Sequence, residues 1–284
     1  MRAVLALALV LAAASGQAAL QVVTTSTDLK SLVEAVGGDS VAVESLAAPD
    51  QDPHAIEVKP IQLARLRRAA LVVRVGLDHE PWFSRLKTDA PVVDASRGIR
   101  LLQAETPRLR AERKAHVHAL GNPHYWLDPQ NARPITASIL DALVKLSPAD
   151  KPRFEANRNN FIKKLDSSIE GWTATLAPYR GTKVVVIHDS WAYFAERFGL
   201  SIVAAAEPTP GVPPSPAELA ALFKRMRESG VRVVIADPHS NPSLARQVAE
   251  RGGARAVILL PSAHDYLALF EENVKRLAAA LSGK

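Results

Sequence analysis

KPRFEANRNNFIKKLDSSIEGWTATL, residues 151–176, carries its large apolar side chains at Phe154, Phe161, Leu165, Ile169, Trp172 and Leu176. Successive steps of 7, 4, 4, 3 and 4 residues put all six on one narrow stripe of a helix. At 1.5 Å per residue this helix runs about 39 Å, long enough to lie along two lobes. A free-standing coiled coil would use a similar seam. The segments on either side, however, alternate strand-like and helix-like runs, so a connecting spine suits the pattern better. A rigid connector of that kind limits hinge opening.

Before the spine, Gln21–Thr25 is a short β-rich run, followed by an amphipathic stretch from Asp28 to Val36 and a Gly37-Gly38 stop. Val41–Leu46, Leu71–Val75 and Val92-Val93 are further strand candidates, and Pro60–Arg68 reads as a helix with Pro60 in its first turn. After the spine the plan returns. Lys183–Ile187, Ser201–Ala205, Val231–Ala236 and Ala256–Leu260 read as strands, with helices over Trp191–Phe198, Ser215–Glu228, Pro242–Arg251 and Asp265–Leu281. Strands alternating with helices imply mostly parallel sheets. The expected fold is α/β, two lobes, each a mostly parallel β-sheet flanked by helices, joined by one long spine helix. The expected boundaries are 19–147 for the first lobe, 148–178 for the connecting helix and 179–284 for the second lobe.

Residues 1–18 read as an export signal: Arg2, an apolar run from Ala3 to Ala14, then the small residues of Ser15-Gly16-Gln17-Ala18. Twelve apolar residues are too few for a bilayer span, which takes about 20. The expectation is a mature chain that begins near Ala19 and works in a periplasm without a lipid anchor. The composition agrees with a globular protein of 284 residues, 48% hydrophobic and 23% charged. The absence of Cys excludes disulfides, Cys-ligated zinc, a Cys nucleophile and lipid attachment at a thiol. The net charge of +6 is spread thinly apart from Arg108, Arg110, Arg113 and Lys114, which lack interleaved aromatics, so no nucleic acid is expected as a partner.

The chemistry lies in the eight histidines. His54 follows the rigid turn Pro49-Asp50-Gln51-Asp52-Pro53, where Asp52 could fix an imidazole tautomer. His124 sits in the Pro-braced, aromatic run Asn122-Pro123-His124-Tyr125-Trp126-Leu127-Asp128-Pro129. His188 ends the apolar strand Val184–Ile187, at the carboxyl end of a strand, where parallel sheets bind their ligands. Three imidazoles from three turns make a plausible shell for a transition metal, and zinc suits them. His79 reads as an exposed turn residue, His264-Asp265 as a helix cap, and His116 and His118 as loop residues.

Asp52-Pro53-His54, the Asn122–Pro129 run, and His188-Asp189-Ser190-Trp191-Ala192-Tyr193-Phe194 resemble the signatures of the cluster A-I, or ZnuA/TroA-like, metal-binding solute-binding proteins of ABC importers. Gly76-Leu77-Asp78-His79-Glu80-Pro81-Trp82 is similar to the Gly-Leu-x-x-Glu-x-Trp segment of that family. The resemblance covers essentially the whole mature chain. It implies two α/β lobes on one long helix with the metal between them, His54 and His124 as ligands from the first lobe and His188 from the second. Manganese-type members tend to carry a carboxylate where His188 stands, and a nitrogen there favours zinc. Two departures stand out. Ser262, in Leu259-Leu260-Pro261-Ser262-Ala263, occupies the place of a family Asp, and the His-rich loop is reduced to His116-Val117-His118. The fourth ligand then falls to Asp237, in Ala236-Asp237-Pro238-His239, to His239 or to a water molecule.

The expected function is capture of Zn²⁺ and its delivery to an inner-membrane ABC importer permease, by a monomer that is not an enzyme. The rivals are a manganese- or iron-type protein of the same family, a three-His zinc hydrolase with an open water position, and an adhesin. Neither HExxH nor GxSxG occurs, which counts against hydrolysis.

Overall fold

The computed structural model describes residues 18–48, 51, 54, 56–102, 121–207 and 212–283. The expected export signal before residue 18, the basic run at 108–114, Asp52, Pro53, His116 and His118 lie outside the described residues.

In the first lobe, β1 (Leu20–Thr24) leads into α1 (Thr27–Gly37), then β2 (Val41–Ser45), α2 (Pro60–Arg68), β3 (Leu71–Arg74) and β4 (Val92–Asp94). Ser26 starts α1 by accepting a hydrogen bond from the Leu29 amide at 3.3 Å. The four strands pair in the order β2-β1-β3-β4, all parallel. Their runs of Val and Leu are apolar on both faces, as expected of strands covered by helices on each side.

The second lobe repeats that order. It comprises β5 (Lys183–Val186), α5 (Ala192–Phe198), β6 (Ser201–Ala205), α6 (Pro216–Ser229), β7 (Val233–Ala236), α7 (Pro242–Gly252), β8 (Arg255–Ile258) and α8 (Tyr266–Ser282). The numbering places α3 (Ala132–Leu146) and α4 (Lys151–Leu176) between the lobes. The second sheet is β6-β5-β7-β8, again parallel throughout. In each sheet the chain leaves the first strand to one side and later returns to the other. A crevice opens there, at the carboxyl ends of β1 and β3 in one sheet and of β5 and β7 in the other.

The expected spine is α4, and its buried residues are Phe154, Phe161, Leu165, Ile169, Trp172 and Leu176, the stripe read from the sequence. It is fastened to both lobes. Asn157 Nδ2 donates to the Val36 carbonyl at 3.1 Å, at the end of α1. Trp172 Nε1 donates to Glu271 Oε2 at 2.8 Å, and its ring stacks on Phe270 of α8 at 5.2 Å. One continuous apolar core runs from Val22 and Leu71 through the spine to Val186 and Phe270.

Helix α3 is absent from the elements read above. Its buried residues include Ile135, Ile139 and Leu143, spaced i, i+4, i+8. Pro134 and the β-branched pair Ile135-Thr136 weaken the local helix signal, and no side chain caps its start. Packing of the Ile135–Leu143 face into the core supplies what local propensity does not.

Candidate metal centre

The carboxyl ends of the strands of both sheets meet in one crevice. The loop after β1 brings Ser26 and Asp28 to it, the loop after β2 brings His54, and the segment beyond β4 brings His124 and Trp126. From the other sheet, β5 brings His188, β6 Glu207, β7 Asp237 and β8 Ser262. The resulting cavity is about 110 Å³, room for an ion with a few waters.

Three of these side chains converge. His54, His124 and His188 each present a ring nitrogen, and the three nitrogens all lie within 4.8 Å of one another. Among the described residues this is the group able to hold a metal. The ring centroids are 5.5 Å apart for His54–His124 and His124–His188, and 6.0 Å for His54–His188. Three imidazole nitrogens at these separations suit a borderline cation such as zinc better than one that prefers oxygen.

The rings are oriented by neighbours. The Asn122 amide oxygen accepts from both the His124 backbone N–H (3.0 Å) and the ring Nδ1 (2.9 Å), which leaves Nε2 for the cavity. Asn122 is itself fixed across the crevice, its Nδ2 donating to the Asp189 carbonyl at 2.7 Å and its own carbonyl accepting from Tyr193 Oη at 2.9 Å. Glu207 places a carboxylate oxygen 3.5 Å from His188 Nδ1, and its backbone N–H donates to the Ile187 carbonyl at 3.0 Å. That contact turns His188 Nε2 inward. Glu207 had not been singled out in the sequence, although its place at the end of β6 mirrors that of His188 at the end of β5.

Asp237 lines the same cavity but is not one of the converging group. Its Oδ1 accepts from Trp191 Nε1 at 2.7 Å and its Oδ2 from Ser190 Oγ at 3.3 Å. Burial pushes its carboxyl up to about 6, against the opposing pull of His188 and these hydrogen bonds. His239 also lines the cavity, and Asp265 caps α8 by accepting from the Ala268 amide at 2.8 Å.

Ser262, in the place of the expected carboxylate, meets Asp28. Its hydroxyl hydrogen-bonds the Asp28 carboxyl and lies 2.8 Å from Thr27 Oγ1, while the Ala263 amide donates to Asp28 Oδ1 at 3.3 Å. Burial raises the Asp28 carboxyl to about 7; the bonds from Ser262 and Ala263 pull the other way. An acidic group thus remains beside Ser262, supplied by α1 of the other lobe.

His79 corrects the reading of an exposed turn. It is fully buried, with its ring centroid 4.4 Å from that of His54, 5.3 Å from His124 and 5.0 Å from Trp126. The segment is a turn, but a left-handed one. Gly76, Leu77 and Asp78 have φ of 80°, 54° and 56°, and this fold of the backbone drives the following side chain inward.

Comparison with known proteins follows the same lines. The profile of the family described as ZnuA, zinc-uptake complex component A periplasmic, matches residues 22–280. The high-affinity zinc uptake system protein ZnuA of Yersinia pestis is 29% identical, over 92% of this chain and 88% of the relative. The zinc-binding protein AdcA of Streptococcus pyogenes is 24% identical over 93% of this chain, which spans only 57% of that longer protein. A crystal structure of ZnuA superposes with a TM-score of 0.81 at 28% identity, covering 92% of this chain and 99% of the other.

Proposed function

We infer that this chain, which belongs to the ZnuA family of zinc-uptake components, captures Zn²⁺ through His54, His124 and His188 and releases it to an ABC importer permease. The observation that carries this reading is the convergence of three imidazole nitrogens from both lobes within 4.8 Å. His54 and His124 belong to the amino-lobe side and His188 to the other, so a bound ion is itself a bond between lobes. The fourth position is taken by Asp237, or by a water that it holds. Ligation needs neutral imidazoles, which Asn122 and Glu207 favour in the tautomer that leaves Nε2 for the metal.

In this reading the cargo passes through unchanged, the protein works as a monomer in the periplasm, and domain boundaries fall at 147/148 and 178/179. A carrier rather than a hydrolase fits the oriented rings: Glu207 faces Nδ1 of a ligand, not an open metal position where a general base would stand. Zinc is favoured over manganese because the converging donors are all nitrogen.

Calorimetric titration with Zn²⁺ and with Mn²⁺ tests this. Wild type should bind one Zn²⁺ with marked preference over Mn²⁺, and His54→Ala, His124→Ala and His188→Ala should each weaken binding at least tenfold. Unchanged titrations in all three variants would refute the ligand assignment.

A further inference from the structure

Asn122 is wholly buried at the seam between the lobes, and its side-chain amide is divided between them. Oδ1 accepts from the backbone N–H and the ring Nδ1 of His124 on its own side, and Nδ2 donates to the Asp189 carbonyl on the other. Asp189 is the residue next to His188. We propose that Asn122 is a positioning residue with two separable tasks. It holds the His124 ring with Nε2 toward the ion, and it ties that ligand to the backbone beside His188, so that retention of the ion depends on the lobes being joined. The proposal rests on the zinc-carrier reading above and deepens it.

The local sequence dictates the first task. Pro123 has no N–H, so the first amide beyond it that the Asn122 oxygen can reach is that of His124, at 3.0 Å. An oxygen that accepts from that N–H also faces the ring as an acceptor. The ring nitrogen at 2.9 Å must then carry a hydrogen, which leaves the Nε2 lone pair for the metal. The amide cannot be turned round. Its NH₂ group would then face a backbone donor on one side, and its oxygen would meet the Asp189 carbonyl on the other.

The second task needs a donor on the same side chain, and the 2.7 Å bond from Nδ2 to Asp189 supplies it. The main chain of Asn122 is fastened as well. Tyr193 Oη, on α5 of the opposite lobe, donates to the Asn122 carbonyl at 2.9 Å and accepts from the Leu102 amide at 3.0 Å. The Asn122 N–H donates in turn to the Leu102 carbonyl at 2.9 Å.

Hydrogen bonds in a chain polarise and strengthen one another. A cation on His124 Nε2 draws charge from the ring, sharpens the Nδ1–H bond to the amide oxygen, and through the amide sharpens the Nδ2–H bond to Asp189. Occupancy and lobe contact thus reinforce each other along one line of bonds, from a ligand of the first lobe to the backbone adjoining a ligand of the second. Asparagine offers an acceptor and a donor at this reach. Aspartate keeps only acceptors, and serine accepts within the turn but is too short to span the seam.

The experiment separates the two tasks with Asn122→Asp and Asn122→Ser, circular dichroism establishing that each is folded. Heteronuclear NMR of the imidazole nitrogens in the metal-free proteins reads the His124 tautomer, its signal assigned by its loss in His124→Gln. Release of Zn²⁺ into excess chelator is followed by stopped flow. A carboxylate is the stronger acceptor for His124, so on ring orientation alone Asn122→Asp would retain zinc at least as well as wild type. The proposal expects the Nδ1–H tautomer in wild type and Asn122→Asp, mixed tautomers in Asn122→Ser, and release faster by about tenfold or more from both variants. Release from Asn122→Asp as slow as from wild type, or an unchanged tautomer in Asn122→Ser, overturns it. Should Asn122→Asp not fold, Asn122→Ser decides alone, and an unaltered tautomer or release rate overturns the proposal. Wild type that binds no zinc, or a His124→Gln variant that binds it undiminished, refutes the carrier reading instead, so the two failures are distinguishable.

Discussion

Replacing Asp28 with Asn should change how the stability of the metal-free protein depends on pH. Asp28 sits in the first turn of α1, fully buried, and meets Ser262 and the Ala263 amide of the opposite lobe. Its carboxyl titrates at about 7 in the fold, against an ordinary value near 3.8. At 1.36 kcal/mol per pKa unit, the three-unit difference amounts to about 4 kcal/mol. A raised folded pKa means that the native state holds more protons than the unfolded chain between about pH 4 and 7. The contribution is therefore fully present below pH 4 and is lost as pH rises through 7. Asn mimics the protonated acid, because it can still accept from Ala263 and donate to Ser262, and it does not titrate. Urea denaturation in the presence of a chelator, at half-unit steps from pH 4.5 to 7.5, should show Asp28→Asn gaining on wild type by several kcal/mol across the range. Two stability profiles that run parallel within about 0.5 kcal/mol would refute the assignment of a buried, proton-holding carboxyl.

Two further outcomes can be checked with small changes. Leu165→Ala, at a fully buried point of the spine, should cost about 3–5 kcal/mol in urea denaturation while leaving the zinc stoichiometry at one. Glu207→Gln should lower zinc affinity about 10- to 100-fold without altering the number of imidazoles bound, measured by chelator competition.

What could be read from the chain alone depended on how each feature is encoded. The spine was legible because its six core residues recur at helical spacing, and a buried stripe needs nothing beyond that period. Helix α3 was not, since Pro134 and the β-branched residues after it speak against a helix locally while tertiary packing decides for one. His54, His124 and His188 stood out through the rigid or strand-end contexts around them. His79 did not, because Gly76-Leu77-Asp78 reads as a turn in either hand and only the left-handed path turns the ring into the core. Asp28 lies far from Ser262 along the chain and meets it only where one lobe packs on the other, and Glu207 reaches His188 only through the pairing of β5 with β6.

The same packing bears on how the carrier opens. Arg197 grips both oxygens of Asp128, at 2.6 and 2.7 Å, and Trp126 Nε1 donates to the Pro261 carbonyl at 2.9 Å. Tyr266 Oη donates to the Trp126 carbonyl at 2.7 Å, and its backbone N–H to Ser31 Oγ at 3.0 Å. All of these cross between lobes, and α4 packs along both lobes. Wide hinge opening would break them together, at about 0.5–1.5 kcal/mol for each neutral bond and more for the charged pair. Release by loss of a single ligand, His188, asks for far less displacement than separation of the lobes. The rigid spine and the bonds across the crevice therefore act together to restrict motion between the lobes.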